Sequence, residues 1–171
     1  MPWVILAIIL ILIIAVIAMY NKLVNAKMKV DNSWSQIDVQ LQRRFDLIPN
    51  FVETVKAYAS HESETFEKIA SLRTSWANAN TVAQKANLDE QLSTALKTIM
   101  AVSENYPELK ANQNFSELSE ELRNTENKIS FARQFYNDTV TMYNTKLQLF
   151  PTNIIASIFH LSLIHISEPT R

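Results

Sequence analysis

The chain contains no glycine and no cysteine in its 171 residues, although glycine alone normally makes up about 7% of a protein. Without glycine there is no phosphate-cradling P-loop, no dinucleotide fingerprint and no nucleophile elbow. Hairpin turns that want a residue at positive φ are disfavoured as well. Without cysteine there is no disulfide framework, no thiolate nucleophile and no cysteine-built metal site. Charge of one sign is also lacking. Lys and Arg number 16 against 17 Asp and Glu, a net charge of −1, so nothing draws the chain toward nucleic acid at long range. The length fits one ordinary domain with a real core.

What the chain has is one long apolar run. Trp3 to Met19 carries no charged or strongly polar side chain, and Tyr20, Asn21 and Lys22 follow. As a helix at ~1.5 Å per residue, Trp3–Tyr20 spans about 27 Å, close to the hydrocarbon thickness of a bilayer. Trp3 and Tyr20 stand where interfacial aromatics belong. A cleaved signal peptide needs a basic segment first, and only Met1 and Pro2 precede the run. A core helix should show a polar face, and this run has none. Residues 1–20 therefore read as a transmembrane anchor, with the lipid bilayer as partner through Trp3–Tyr20. Lys22, Lys27 and Lys29 follow the run and no Lys or Arg precedes it. The positive-inside rule then places the N-terminus outside and the rest in the cytoplasm.

The body reads as helices throughout. Val30, Trp34, Ile37, Leu41, Phe45 and Ile48 share one helical face, continuous with the anchor. Pro49 removes an amide donor and disfavours helix at Ile48, which predicts a kink or break. The apolar series resumes with Val52, Val55, Ala59, Phe66, Ile69, Leu72 and Trp76, and polar residues 77–85 read as a loop. Asn87, with Glu90 three residues later, reads as an N-cap for a helix bearing Leu92, Leu96, Ile99 and Val102. Tyr106-Pro107 ends it. Residues 112–115 form a connector, and Asn114 or Ser116 caps the last helix. There Leu122, Ile129, Tyr136, Tyr143 and Phe150 recur every seven residues. Leu118, Thr125 and Ala132 flank them, and Val140 and Leu147 widen the stripe, as in a left-handed bundle seam. The predicted fold is all-α: an N-terminal transmembrane helix followed by an antiparallel bundle of about four long helices over residues 21–150.

Two polar constellations stand out. Arg43, Arg44, Asp46, Pro49 and Asn50 are the denser. Paired arginines suit a carboxylate or phosphate, which would make this a partner or ligand site. The structural reading, which is preferred, has these groups satisfying a carbonyl freed by Pro49, with Asp46 pairing locally. Glu126, Ser130, Arg133, Asn137 and Asn144 run along one strip beside the seam. They would line a groove or, as such residues more often do, make interhelical hydrogen bonds that fix register. A contact of Glu126 with Arg43 or Arg44 fits the second reading.

No constellation carries chemistry. His61 is the one histidine before the C-terminal tail. A di-metal bundle needs Glu-x-x-His, and residue 58 is Tyr58. His61-Glu62-Ser63-Glu64-Thr65 lacks the second histidine of a zinc helix. Neither a metal, a cofactor nor a catalytic residue is predicted, and Tyr136, Tyr143 and Phe150 read as core.

Several blocks in order resemble the LemA family. They are Asp38-Val39-Gln40-Leu41-Gln42-Arg43-Arg44-Phe45-Asp46-Leu47-Ile48-Pro49-Asn50, then Val55-Lys56-Ala57-Tyr58-Ala59-Ser60-His61-Glu62, then Glu104-Asn105-Tyr106-Pro107-Glu108-Leu109-Lys110-Ala111-Asn112. Thr125-Glu126-Asn127-Lys128-Ile129, Ala132-Arg133 and Tyr136-Asn137 match further along, and Tyr20-Asn21-Lys22-Leu23-Val24 fits the start after an anchor. The resemblance runs from about Tyr20 to Phe159. It implies a bacterial single-pass membrane protein with a short segment outside, a helical bundle in the cytoplasm and no assigned catalytic activity. One such relative serves in magnetosome membrane assembly, which makes membrane organisation a theme by analogy.

The tail, residues 151–171, reads differently. Leu147 to Ser167 has no charged residue, and Ile154–Ile166 is too short and broken to span a bilayer. Interfacial membrane contact is one reading. Ser162–Arg171 resembles translated sequencing-adapter DNA, so that from about residue 160 the sequence is not native and says nothing of function. The expected function is that of a non-enzymatic, membrane-anchored protein-interaction or membrane-organising factor with an unidentified protein partner and no nucleic acid. The alternative is an accessory subunit of a membrane-linked enzyme such as a protease system. Neither the partner nor the oligomeric state is legible.

Overall fold

A computed structural model describes residues Pro2–Ile164, and these form six α-helices and no strand. They are α1 (Pro2–Lys56), α2 (Ser63–Ala77), α3 (Val82–Ser103), α4 (Pro107–Lys110), α5 (Gln113–Gln148) and α6 (Thr152–Ile158). The all-α bundle expected from the apolar periodicities is what the chain adopts. The adapter-like stretch from residue 165 onward lies outside the described residues, as does Met1.

Several local expectations are corrected. First, α1 passes through Pro49 as one helix, so the chain does not break there. A proline in a helix interior costs about 3 kcal/mol. Its neighbours Phe45, Ile48, Phe51 and Val55 are all fully buried, and each such side chain gains about 1.5–3 kcal/mol on burial, enough to hold the helix together. Second, α3 begins at Val82 rather than near Asn87. Thr81 accepts from the Gln84 amide while the Gln84 side chain accepts from the Thr81 amide, a complete capping box. The loop shrinks to residues 78–81. Pro107, expected only as a stop, opens α4 at its first turn, where its missing N–H is no loss. Third, the cap of α5 is neither Asn114 nor Ser116. Asn112 Oδ1 accepts from the Phe115 amide at 3.0 Å.

The helices fall into two compact units. One comprises Asp38–Ser130. Its core takes Leu41, Phe45 and Phe51 from α1, Phe66, Ile69 and Trp76 from α2, Leu92 and Ile99 from α3, and Leu122 and Ile129 from α5. The rings of Phe45 and Trp76 stack at 4.3 Å, and those of Phe51 and Phe115 at 5.6 Å.

The other unit contains the chain up to Ile37 and from Phe131 onward. Leu23, Ala26, Val30 and Ile37 of α1 are buried there, as are Tyr136, Val140, Tyr143 and Leu147 of α5. The two segments run antiparallel: Trp34 packs edge-on against Tyr136, Ser33 meets Thr139 at 2.9 Å, and Tyr20 lies beside Phe159. Phe150, expected to close the heptad series, is exposed, because α5 ends at Gln148 and the chain turns away.

Candidate functional site: a buried arginine held by three helices

The helical phase of α1 decides what its two arginines do. Arg44 lies three residues after Leu41 and four before Ile48, on the core face, and is only 1% exposed. Arg43 points outward. A buried guanidinium must find partners or cost several kcal/mol. Arg44 Nη1 donates to Asp89 Oδ1 at 2.6 Å and to Ser93 Oγ at 2.9 Å, both on α3. Its Nη2 lies 3.6 Å from Glu126 Oε2 on α5. The arginine therefore ties α1, α3 and α5 of one unit together. Asp89 is buried and Glu126 half-exposed, so the dry half of the pair is the arginine with Asp89. Arg44 Nε is buried with no hydrogen-bond partner.

The surroundings repeat the theme at the surface. Arg43 pairs with Glu121 of α5 through both Nε and Nη2. Lys85 of α3 pairs with Asp38 of α1 and lies 5.1 Å over the Trp76 ring. Trp76 Nε1 donates to Gln42 Oε1 at 3.2 Å, and Gln42 Nε2 donates to Asp46 Oδ1 at 2.9 Å. Asp46 thus pairs within its own helix. Pro49 is half-buried, and Asn50 is exposed beside an open groove of about 480 Å³ that Glu53, Asn114, Glu117 and Glu121 also line.

The expected strip on α5 does not gather into one site. Glu126 joins the Arg44 cluster. Arg133 and Asn137 belong to the other unit, where both are half-buried and the Asn137 carbonyl accepts from Thr141. In that unit the buried polar contact is Ser33 with Thr139, which also donates to the Tyr136 carbonyl. Burial raises the phenol pKa values of Tyr136 and Tyr143 above 10.0, and the Asp31 carboxylate adds to the shift.

Sequence reading missed Asp89 and Ser93. With the helix start placed at Thr81, Lys85, Asp89, Leu92 and Leu96 fall on one face at spacings of 4, 3 and 4, so an acidic residue stands on the face that carries Leu92 and Leu96. That is the sequence signal of a buried pair. His61 is exposed in the connection after α1, and among the described residues no three His, Asp or Glu converge as metal ligands would.

The model of the LemA family matches residues 33–167. The chain belongs to the LemA family. The match begins within α1, beyond the apolar run, includes Arg44, Asp89 and Glu126, and extends past Phe159. Protein LemA of Metamycoplasma hominis is 25% identical over 155 residues, 88% of this chain and 71% of its own length. Magnetosome proteins MamQ 1 and MamQ 2 of Paramagnetospirillum magneticum are each 25% identical over 165 residues, covering 81% of this chain. The chain spans 61% of the length of each magnetosome relative. In this LemA-family chain the family-like motif around residues 38–50 supplies three of the ties between helices: Asp38 to α3, Arg43 to α5 and Arg44 to both.

Proposed function

We propose that this LemA-family chain is a non-enzymatic interaction protein, anchored in the membrane by α1 and holding its bundle at the cytoplasmic face. One observation carries the reading. From Trp3 to Ile17 every large apolar side chain of α1 is exposed, and from Leu23 the same helix buries most of its apolar residues, Met28 and Val39 excepted. A charge-free helical surface of that length is at rest only in hydrocarbon. This is the one helix among the described residues long and apolar enough to cross a membrane. Lys22, Lys27 and Lys29, just after its apolar run, favour the cytoplasmic placement.

The interaction reading draws on what the polar residues do. Arg43, Arg44, Asp46 and Glu126 are engaged with helix partners, so they build the bundle rather than face a substrate. The theme of membrane organisation rests on the likeness to magnetosome proteins alone. Membrane fractionation tests the anchor. The full chain should stay in the pellet through an alkaline carbonate wash, and a chain starting at Asn21 should be released and remain helical. Release of the full chain would contradict the reading.

A further inference from the structure

We infer that the corner after α5 and the short helix α6 form a second membrane contact, an apolar collar seated in the headgroup layer of an anionic leaflet at the base of the anchor. The inference rests on the reading of α1 as the membrane-spanning helix.

Register places the collar. Ser33 meets Thr139 across antiparallel segments. Advancing about nine residues along α5 to its end at Gln148 matches an equal retreat along α1, to about Val24, roughly one turn from Tyr20. The chain turns at Phe150-Pro151, and α6 brings the Phe159 ring to 4.4 Å from the Tyr20 ring. α6 therefore lies beside the residue that closes the apolar run of α1, at the level where interfacial aromatics sit.

The faces of this corner divide sharply. Ile155 and Ala156 are buried, while Leu149, Phe150, Ile154, Ile158 and Phe159 are exposed, Phe150 at 78% and Ile158 at 62%. Five large apolar side chains crowded into one charge-free turn and helix make a patch that soluble surfaces rarely keep. An amphipathic segment of this kind lies in the interface plane with its apolar face in the acyl boundary.

Charge settles the occupant. The charged residues between Asn21 and Val30, and between Thr139 and Phe159, are Lys22, Lys27, Lys29 and Lys146, all exposed, with no acidic residue among them. Asp31 and Asp138 lie just beyond these stretches, and a band of apolar side chains bordered first by lysines complements a surface of anionic headgroups. A second copy of the chain would bring the same lysines against these.

The lack of cysteine lets single reporters be placed cleanly. Leu10→Cys, Ala83→Cys, Phe150→Cys and Ile158→Cys would each carry an environment-sensitive fluorophore on the full chain. Each is reconstituted in vesicles of phosphatidylcholine and phosphatidylglycerol, with bromine placed shallow or deep on the acyl chains. Circular dichroism checks that each keeps the parent's helical signal. The expected result is severalfold stronger quenching by shallow bromine at positions 150 and 158 than at 83, with position 10 quenched by deep bromine. Quenching at 10 with none at 150 and 158 would overturn the collar and leave the anchor standing. No quenching at 10 would overturn the anchor reading and the collar with it. Labels at 150 and 158 that are shielded from water yet untouched by bromine would show a protein cover and overturn the collar.

Discussion

Arg44 on α1 and Asp89 on α3, forty-five residues apart in the chain, form a dry ion pair, Nη1 to Oδ1 at 2.6 Å. Removing one partner of such a pair leaves the other's buried charge under-compensated and costs about 3–5 kcal/mol, whereas replacing both with apolar groups can be neutral. Arg44→Leu and Asp89→Leu should each be strongly destabilising, and the double variant less so than their sum. Denaturant unfolding of the full chain in detergent measures all three. Strict additivity would show that the two residues do not act as a pair.

The α5 seam allows a clean comparison of neighbours. Ile129 is buried and Lys128 exposed. Ile129→Ala removes buried methylene groups and leaves a cavity, at a cost of about 2–5 kcal/mol. Lys128→Ala should change stability by no more than about 0.5 kcal/mol. Thermal unfolding of each variant gives the comparison, and greater damage from the lysine change would mean that α5 is rotated from the phase described.

Pro49 is held in an unbroken helix by its buried neighbours, at a cost to that helix. Pro49→Ala restores an amide donor and should raise stability, by up to about 3 kcal/mol. The helical signal should be unchanged or higher. A loss of helicity would show that the proline organises the turn after all.

Alkaline pH tests the other unit. Tyr136 and Tyr143 titrate above 10.0 because burial, and then Asp31, disfavour the phenolate. With folded values above the unfolded one, their contribution is fully present below pH of about 10 and is lost as pH rises through the folded values. Spectrophotometric titration should show two tyrosines ionising late, and Asp31→Asn should move them toward 10.0 without abolishing the effect of burial. Ionisation of Tyr136 and Tyr143 at or below 10.0 would contradict the packing.

Much of this architecture was legible because apolar spacing is a direct record of which faces are buried. Leu41, Phe45, Ile48, Leu122 and Ile129 lie where their periodicity puts them. Boundaries were less legible, since several residue types compete to cap a helix. Thr81-Val82-Ala83-Gln84 and Asn87-Leu88-Asp89-Glu90 carry the same capping chemistry, and the earlier box won. That six-residue error hid Asp89, which looks like a cap when the helix starts late and like a buried partner when it starts early. Arg44 could be singled out from its motif, but its partner on α3 depended on tertiary packing that local sequence does not encode. Pro49 misled for a similar reason: a local rule against helix was outweighed by the burial of Phe45, Ile48, Phe51 and Val55.

Membrane topology is the most direct test of the account. In a chain without native cysteine, Pro2→Cys and Ala83→Cys can be labelled in intact spheroplasts with a membrane-impermeant maleimide. Pro2→Cys should label before lysis, and Ala83→Cys only after permeabilisation. Labelling of Ala83→Cys in intact spheroplasts would put the bundle outside and contradict the placement drawn from Lys22, Lys27 and Lys29.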